Sequence, residues 1–154
     1  MIKGQVISGE FGRVVARQKS GNPIEIGELL VSDSKEGKIL MQVFDLVYSS
    51  QISQQNLELI AGMKLEENTE FEIFDGALRN YMLAMMKPLV TVKGKIAFVS
   101  KSLPNFFSEV RELENDDLVF LTKPKNPLFL GNLRSGSKTL DVQIYFDGEK
   151  IMSH

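Results

Sequence analysis

The run ILMQVFDLVY, Ile39 to Tyr48, decides how this chain folds. A strand with one face in water alternates apolar and polar residues, but here only Gln42 and Asp45 interrupt an apolar run. Such a run between turn-forming clusters predicts a central strand covered on both faces. Its neighbours upstream read as hairpins. IKGQVIS (Ile2 to Ser8), RVVARQ (Arg13 to Gln18) and IEIGELLVSD (Ile24 to Asp33) are rich in Val, Ile and Leu. GEFG, KSGNP and SKEGK separate these segments, and clusters of that kind at short spacing mark tight turns between strands.

Downstream the period changes. In QISQQNLELIAGM, Ile52, Leu59, Ile60 and Met63 fall on one helical face, with Ser50 as N-cap and Gly62 as stop. This predicts a helical insertion near 50–63. GALRNYMLAMMK holds good helix formers, but Pro88 bars a helix through it and PLVTV is strand-like. The reading is a strand over about 81–92 with an edge or bulge at Pro88. SEVRELENDD reads as partly helical, giving a second helical segment over 107–117, followed by the short apolar LVFL. Finally, in LDVQIYFDGEK, Leu140, Val142, Ile144 and Phe146 share one face of a strand and Asp141, Gln143, Tyr145 and Asp147 the other. Asp147-Gly148 then predicts a hairpin with a return strand at KIM.

Many short strands with one or two inserted helices define a mainly β chain folded as a small closed or nearly closed antiparallel β-barrel. Closure removes the exposed edges that so many strands would otherwise present. At 154 residues the whole chain, 1–154, reads as one domain with a core of its own. Hydrophobic residues at 43% and charged ones at 25% exclude wholesale disorder. A net charge of −2 argues against a surface built throughout for nucleic acid. Without cysteine there is neither a disulfide nor a thiolate metal site, and no apolar run approaches the roughly 18 residues of a membrane span. The chain reads as soluble and cytoplasmic, with no membrane partner.

Chemistry is sparse. Gly131, Gly136, Lys138 and Thr139 occur as G-x-x-x-x-G-x-K-T, one residue longer than the phosphate-binding G-x-x-x-x-G-K-[ST]. A phosphate loop delivers its ligand to a helix N-terminus, whereas a period-2 strand follows Thr139, so Gly131–Thr139 reads as a turn. The one histidine, His154, is the last residue given, a poor place for a catalytic base. Glu66-Glu67, Glu109/Glu112/Glu114 and Asp116-Asp117 lack calcium-loop spacing and read as solvated charge. No catalytic, cofactor-binding or metal-ligating residue is assigned, and the chain is read as a binding or assembly domain rather than an enzyme. Arg13, Arg17 and Lys19, and Arg134 with Lys138, are basic groups able to meet phosphates or an acidic partner. Phe106-Phe107 is either a docking element or a pair with one ring in the core, and the Met-rich YMLAMM reads as packing.

Three blocks in order carry a family resemblance: GRVVARQKSGNPIEIGELLV (Gly12 to Val31), LMQVFDLVYSSQI (Leu40 to Ile52) and LGNLRSGSKTLDVQIYFDGEKIMSH (Leu130 to His154). Together they resemble the N-terminal region of the HerA family, archaeal hexameric DNA-translocating ATPases with a RecA-like motor. The resemblance implies a HAS barrel that helps assemble the hexameric ring and docks a NurA-type nuclease for DNA-end resection in repair. It also implies that the helicase motor, with its Walker A loop, ATP and magnesium, follows position 154 and that DNA is met through the full-length assembly. The implied docking surface comprises the 18–24 turn (Lys19, Asn22), the Tyr48–Asn56 junction (Tyr48, Gln51, Ile52) and the 131–139 loop (Arg134, Ser135, Lys138). Loops on a rigid barrel suit that role. The residues themselves leave a different class open, a free-standing barrel that binds nucleic acid or a small ligand.

Overall fold

The computed structural model describes residues 1–67 and 76–152. The strands are β1 (Ile2–Glu10), β2 (Arg13–Gln18), β3 (Leu29–Ser34), β4 (Gly37–Ser50), β5 (Asn80–Lys93), β6 (Ile96–Val99), β7 (Glu109–Glu112), β8 (Pro127–Ser135) and β9 (Lys138–Asp147). Helices α1 (Gln54–Glu66), α2 (Gly76–Arg79) and α3 (Gly148–Met152) are peripheral. One sheet runs β2-β1-β7-β3-β4-β5-β6, and a further antiparallel pairing of β2 with β5 joins Val14–Arg17 to Met86–Leu83. That pairing closes six strands into an antiparallel barrel and leaves β6 as a flap on β5. β8 and β9 form a separate hairpin on the outside.

The Ile39–Tyr48 run is covered on both faces only in its first half. Ile39, Met41 and Val43 point into the barrel with Val6, Val14, Ala16, Leu30, Ala84, Met86 and Val110, while Ile24 plugs the cluster from a loop. Leu40 points outward, under Leu29, Val31 and Leu118, where Leu133 and Val142 of the hairpin pack. This second layer is why both faces of the run are apolar. Gln42 is the last β4 residue paired with β3, Val43 still bonds the Gly27 and Glu28 backbone, and beyond it the strand continues on β5 as far as Ser50 opposite Asn80. A bulge between Val43 and Asp45 shifts the side-chain alternation by one, so Leu46 turns back to the core while Phe44, Val47 and Tyr48 are exposed.

Several expectations are corrected. Pro88 does sit at a bulge, between Leu40 and Met41 of the partner strand, but β5 is central rather than an edge. The proline is tolerated because β2 pairs with β5 only through Met86 and β6 only from Val90, so Pro88 faces the gap between them. The strand expected from Ile24 begins at Leu29, because Gly27 adopts φ 81° and the Glu28 carboxylate accepts the Glu25 N–H at 2.9 Å. Ser53, not Ser50, caps α1, accepting from the Asn56 N–H, and the helix runs past Gly62 to Glu66. Within 107–117, Glu109–Glu112 is strand β7, inserted between β1 and β3, and helix is confined to a 3-10 turn at Asn115–Leu118. KIM forms the end of α3 instead of a return strand. The stretch 68–75, which the sequence left open, and His154 lie outside the described residues.

Gly37 holds the β3–β4 turn at φ 146°, and a Cβ there would collide with the Val92 carbonyl, so β5 approaches only because no side chain intervenes. Asp117, 3% exposed, ties the 3-10 turn to the barrel. Burial pushes its carboxyl up, but two hydrogen bonds from Arg111 (2.7 and 2.8 Å), the Glu114 N–H and Lys38 outweigh that and hold it at about 2. A depressed carboxylate stabilises the fold fully above its ordinary pKa and loses that contribution as pH falls through the folded value. Urea unfolding should therefore show Asp117→Asn to be about 2 kcal/mol less stable at neutral pH, with the difference vanishing below pH of about 2. Met41→Ala, which empties the barrel centre, should cost about 2–5 kcal/mol in the same assay.

Candidate functional site

The candidate surface lies at the barrel end where β2 finishes and the β4–β5 arm projects. Gln51 N–H donates to the Arg79 carbonyl at 2.8 Å and Ser50 Oγ donates to Asn80 Oδ1 at 2.6 Å, fixing the start of α1 against the root of β5. Ser50 Oγ also accepts the Ile52 N–H at 3.0 Å, turning the chain from strand to helix. These bonds shape an open cleft of about 740 Å³ lined by Tyr48, Ile52, Leu57, Tyr81, Met82 and neighbouring polar side chains. Tyr48 stands 87% exposed on the arm. The Arg17 guanidinium lies over the Tyr81 ring, 4.3 Å from its centre. Such a stack combines a planar cation with an aromatic face.

A second groove of about 610 Å³ adjoins the first, since Gln18 lines both; its walls include Gln5, Ile7, Arg17, Lys19 and Phe107. Phe106 and Phe107 are 63% and 62% exposed and meet edge to face at 4.4 Å, so neither ring enters the core as one reading of the pair expected. Phe107 carries φ 61°, an uncommon conformation for a bulky residue, and its backbone is clamped there. Its N–H donates to the Val6 carbonyl and its carbonyl accepts from Gln5 Nε2, both at 2.9 Å. Local strain that the surroundings over-determine is a common mark of a binding surface.

The predicted interface residues divide into two groups. Lys19, Tyr48, Gln51 and Ile52 belong to the arm and its grooves. Asn22 is nearby but structural, with Nδ2 donating to the Ile2 carbonyl at 2.8 Å. Arg134, Ser135 and Lys138 belong to the β8–β9 turn, which shares no lining residue with the Tyr48 cleft. There Ser135 Oγ accepts the Leu29 N–H at 2.8 Å, Arg134 Nε donates to the Gly136 carbonyl at 3.0 Å, and Lys138 lines a cavity of about 230 Å³ with Lys3 and Glu28. Ser137 donates to Glu25 from both its N–H (2.9 Å) and its hydroxyl (2.7 Å), holding that carboxyl below the usual carboxylate range. Lys3 and Glu28, 8% and 7% exposed, pair at 3.2 Å, and Lys3 Nζ also donates to the Pro23 carbonyl at 2.8 Å.

The phosphate-loop likeness dissolves in this geometry. Gly131 lies inside β8 at a bulge, and the turn itself is only Gly136-Ser137, with Gly136 at φ 58° and strand on either side. A Cβ on Gly136 would come within 2.6 Å of the Glu25 carboxylate, so the glycine serves the contact with the 25–29 loop. Among the described residues, no group of three or more His, Asp or Glu is placed to hold a metal ion, and no helix is long and apolar enough to cross a membrane. Compared with known proteins, the chain matches no protein-family model and no curated protein.

Sequence reasoning missed Tyr81, Met82 and the Phe107 clamp. Tyr81 takes its place on the arm by pairing with Ser49, a contact with no local signature. In thermal melts, Tyr48→Ala should change stability by less than about 0.5 kcal/mol, as expected for an exposed side chain. Ser135→Ala should cost about 1 kcal/mol or more by leaving the Leu29 N–H without its acceptor.

Proposed function

We propose that this chain is the non-catalytic barrel domain of a HerA-like DNA-translocating ATPase, serving ring assembly and the docking of a NurA-type nuclease. The observation that carries the reading, beside the resemblance of the three sequence blocks, is the β4–β5 arm. It extends beyond the barrel wall and presents Tyr48, Gln51 and Ile52 on a base fixed by backbone and side-chain hydrogen bonds. A rigid projection of this kind offers a partner a preformed surface and needs no catalytic group. The distal half of the hairpin adds exposed apolar side chains, with Leu128 and Phe146 paired on one face, of the sort that subunits cover when they associate. On this reading ATP and magnesium belong to the motor, and DNA end resection belongs to the full assembly.

Co-purification with a NurA-type nuclease tests the proposal. Tyr48→Ala combined with Gln51→Ala should abolish capture of the nuclease while the melting curve stays unchanged. Charge reversal at Arg134 and Lys138 should weaken capture if the hairpin turn shares the interface. A nuclease that never co-purifies with the unaltered chain overturns the reading.

A further inference from the structure

β6 ends the barrel sheet, and among the described residues no strand pairs with its outer edge. The two-residue turn Gly94-Lys95 makes Lys93 and Ile96 a hydrogen-bonded pair, and such pairs alternate along an antiparallel ladder. Ile96 and Phe98 therefore bond β5, whereas Ala97 and Val99 direct their N–H and C=O groups outward. The far end of the strand is anchored too: Thr91 and Ser100, both buried, share a hydroxyl hydrogen bond at 2.8 Å. The side chains are apolar, with Ile96 and Val99 69% and 72% exposed. A free apolar edge is ordinarily blunted by a charge or a proline. Here the charges stand at its ends instead. Lys93 and Lys95 precede the strand and Lys101 follows it, all exposed and outside every ion pair among the described residues. From 77 to 108 the chain contains no Asp or Glu, and in the adjoining β3–β4 turn Lys35 and Glu36 offset each other.

We infer that the outer edge of β6 docks an extended acidic peptide, which adds a strand to the barrel sheet and sets its carboxylates against Lys93, Lys95 and Lys101. Main-chain hydrogen bonds to Ala97 and Val99 give the pairing, and β-branched peptide side chains pack beside Phe98 and Val99. Charge decides the occupant. A second copy of this edge would bring lysines against lysines whichever way the two strands ran, and like charges in register are unfavourable. An anionic strand meets the opposite sign at both ends. The edge is held by its turn and by the Thr91–Ser100 bond before any partner arrives, so binding orders little on this side. The site lies at the Val90–Lys93 end of β5, whereas the arm proposed to dock a nuclease springs from Asn80. The two readings therefore stand or fall separately.

The test is an NMR titration of the whole chain, to millimolar concentration, with a peptide of Val-Thr-Val-Thr-Val centre and glutamates at both ends. The Ala97 and Val99 amides should shift and become protected from hydrogen exchange, while those of Ile96 and Phe98, already bonded to β5, should gain little. Ala97→Pro removes an outward donor without touching the β5 ladder and should weaken binding about fivefold. Lys95→Glu with Lys101→Glu should weaken it by a similar factor and turn the preference toward a peptide with lysines at its ends. Both lysines are exposed, so this variant carries the test if the proline variant fails to fold. Lys64→Gln, on α1, should bind like the unaltered chain. The inference is overturned if the Ala97 and Val99 amides do not respond, if the lysine-ended peptide binds the unaltered chain equally well, or if the double lysine variant binds the acidic peptide unchanged. Self-association of the chain that Ala97→Pro abolishes would assign the edge to a second copy and overturn it as well.

Discussion

Every feature of this molecule depends on the pairing of β2 with β5. Without it the sheet would be an open seven-strand ribbon with β2 as a free edge; with it, six strands enclose a core. At the seam Ala16 lies opposite Ala84, and neither side chain reaches solvent. Two methyl groups let the closing strands approach, while larger Ile39, Met41, Val43 and Met86 fill the remaining interior. A barrel of so few strands has a narrow lumen, which must be filled by side chains matched in size. This accounts for a purely aliphatic interior cluster and for the absence of a buried phenylalanine among the described residues.

Closing a small barrel leaves polar groups trapped at its rim, and the chain answers with charge pairs that bridge distant segments. Lys3 joins the first strand to Glu28 and Glu112, and Asp117 joins the 3-10 turn to Arg111 and Lys38. Breaking one partner of such a pair strands a charge out of water, whereas forming the pair adds little net stability. Their contribution is to fix which segments meet. The loops bearing the candidate surfaces inherit their positions from these ties, since Pro23 and Glu28 flank the 24–28 loop on which the hairpin turn rests.

Strands whose alternation or apolar run is local were legible in the sequence: β1, β2, the first half of β4, and β9. What escaped was set by partners. β7 sits in an acidic segment that looks helical, and it is a strand because β1 and β3 supply hydrogen bonds on both sides. Bulges at Val43–Asp45 and Leu40–Met41 change which face a residue occupies, and no propensity marks them. In the same way, Tyr48 and Lys19 could be singled out as exposed candidates, while Tyr81 could not. Its place opposite Ser49 follows from a register set between strands that the α1 insertion separates in sequence.

The β8–β9 hairpin has its own ladder and meets the barrel through a limited set of groups, among them Leu133, Ser135, Gly136, Ser137 and Val142. The barrel closes without it. A hairpin held through so few contacts is expected to exchange its amides before the closed barrel does. Opening of the hairpin would uncover Leu29, Val31 and Leu40, an aliphatic face otherwise hidden. The hairpin thus shields an aliphatic wall that the closed barrel by itself would leave in contact with water.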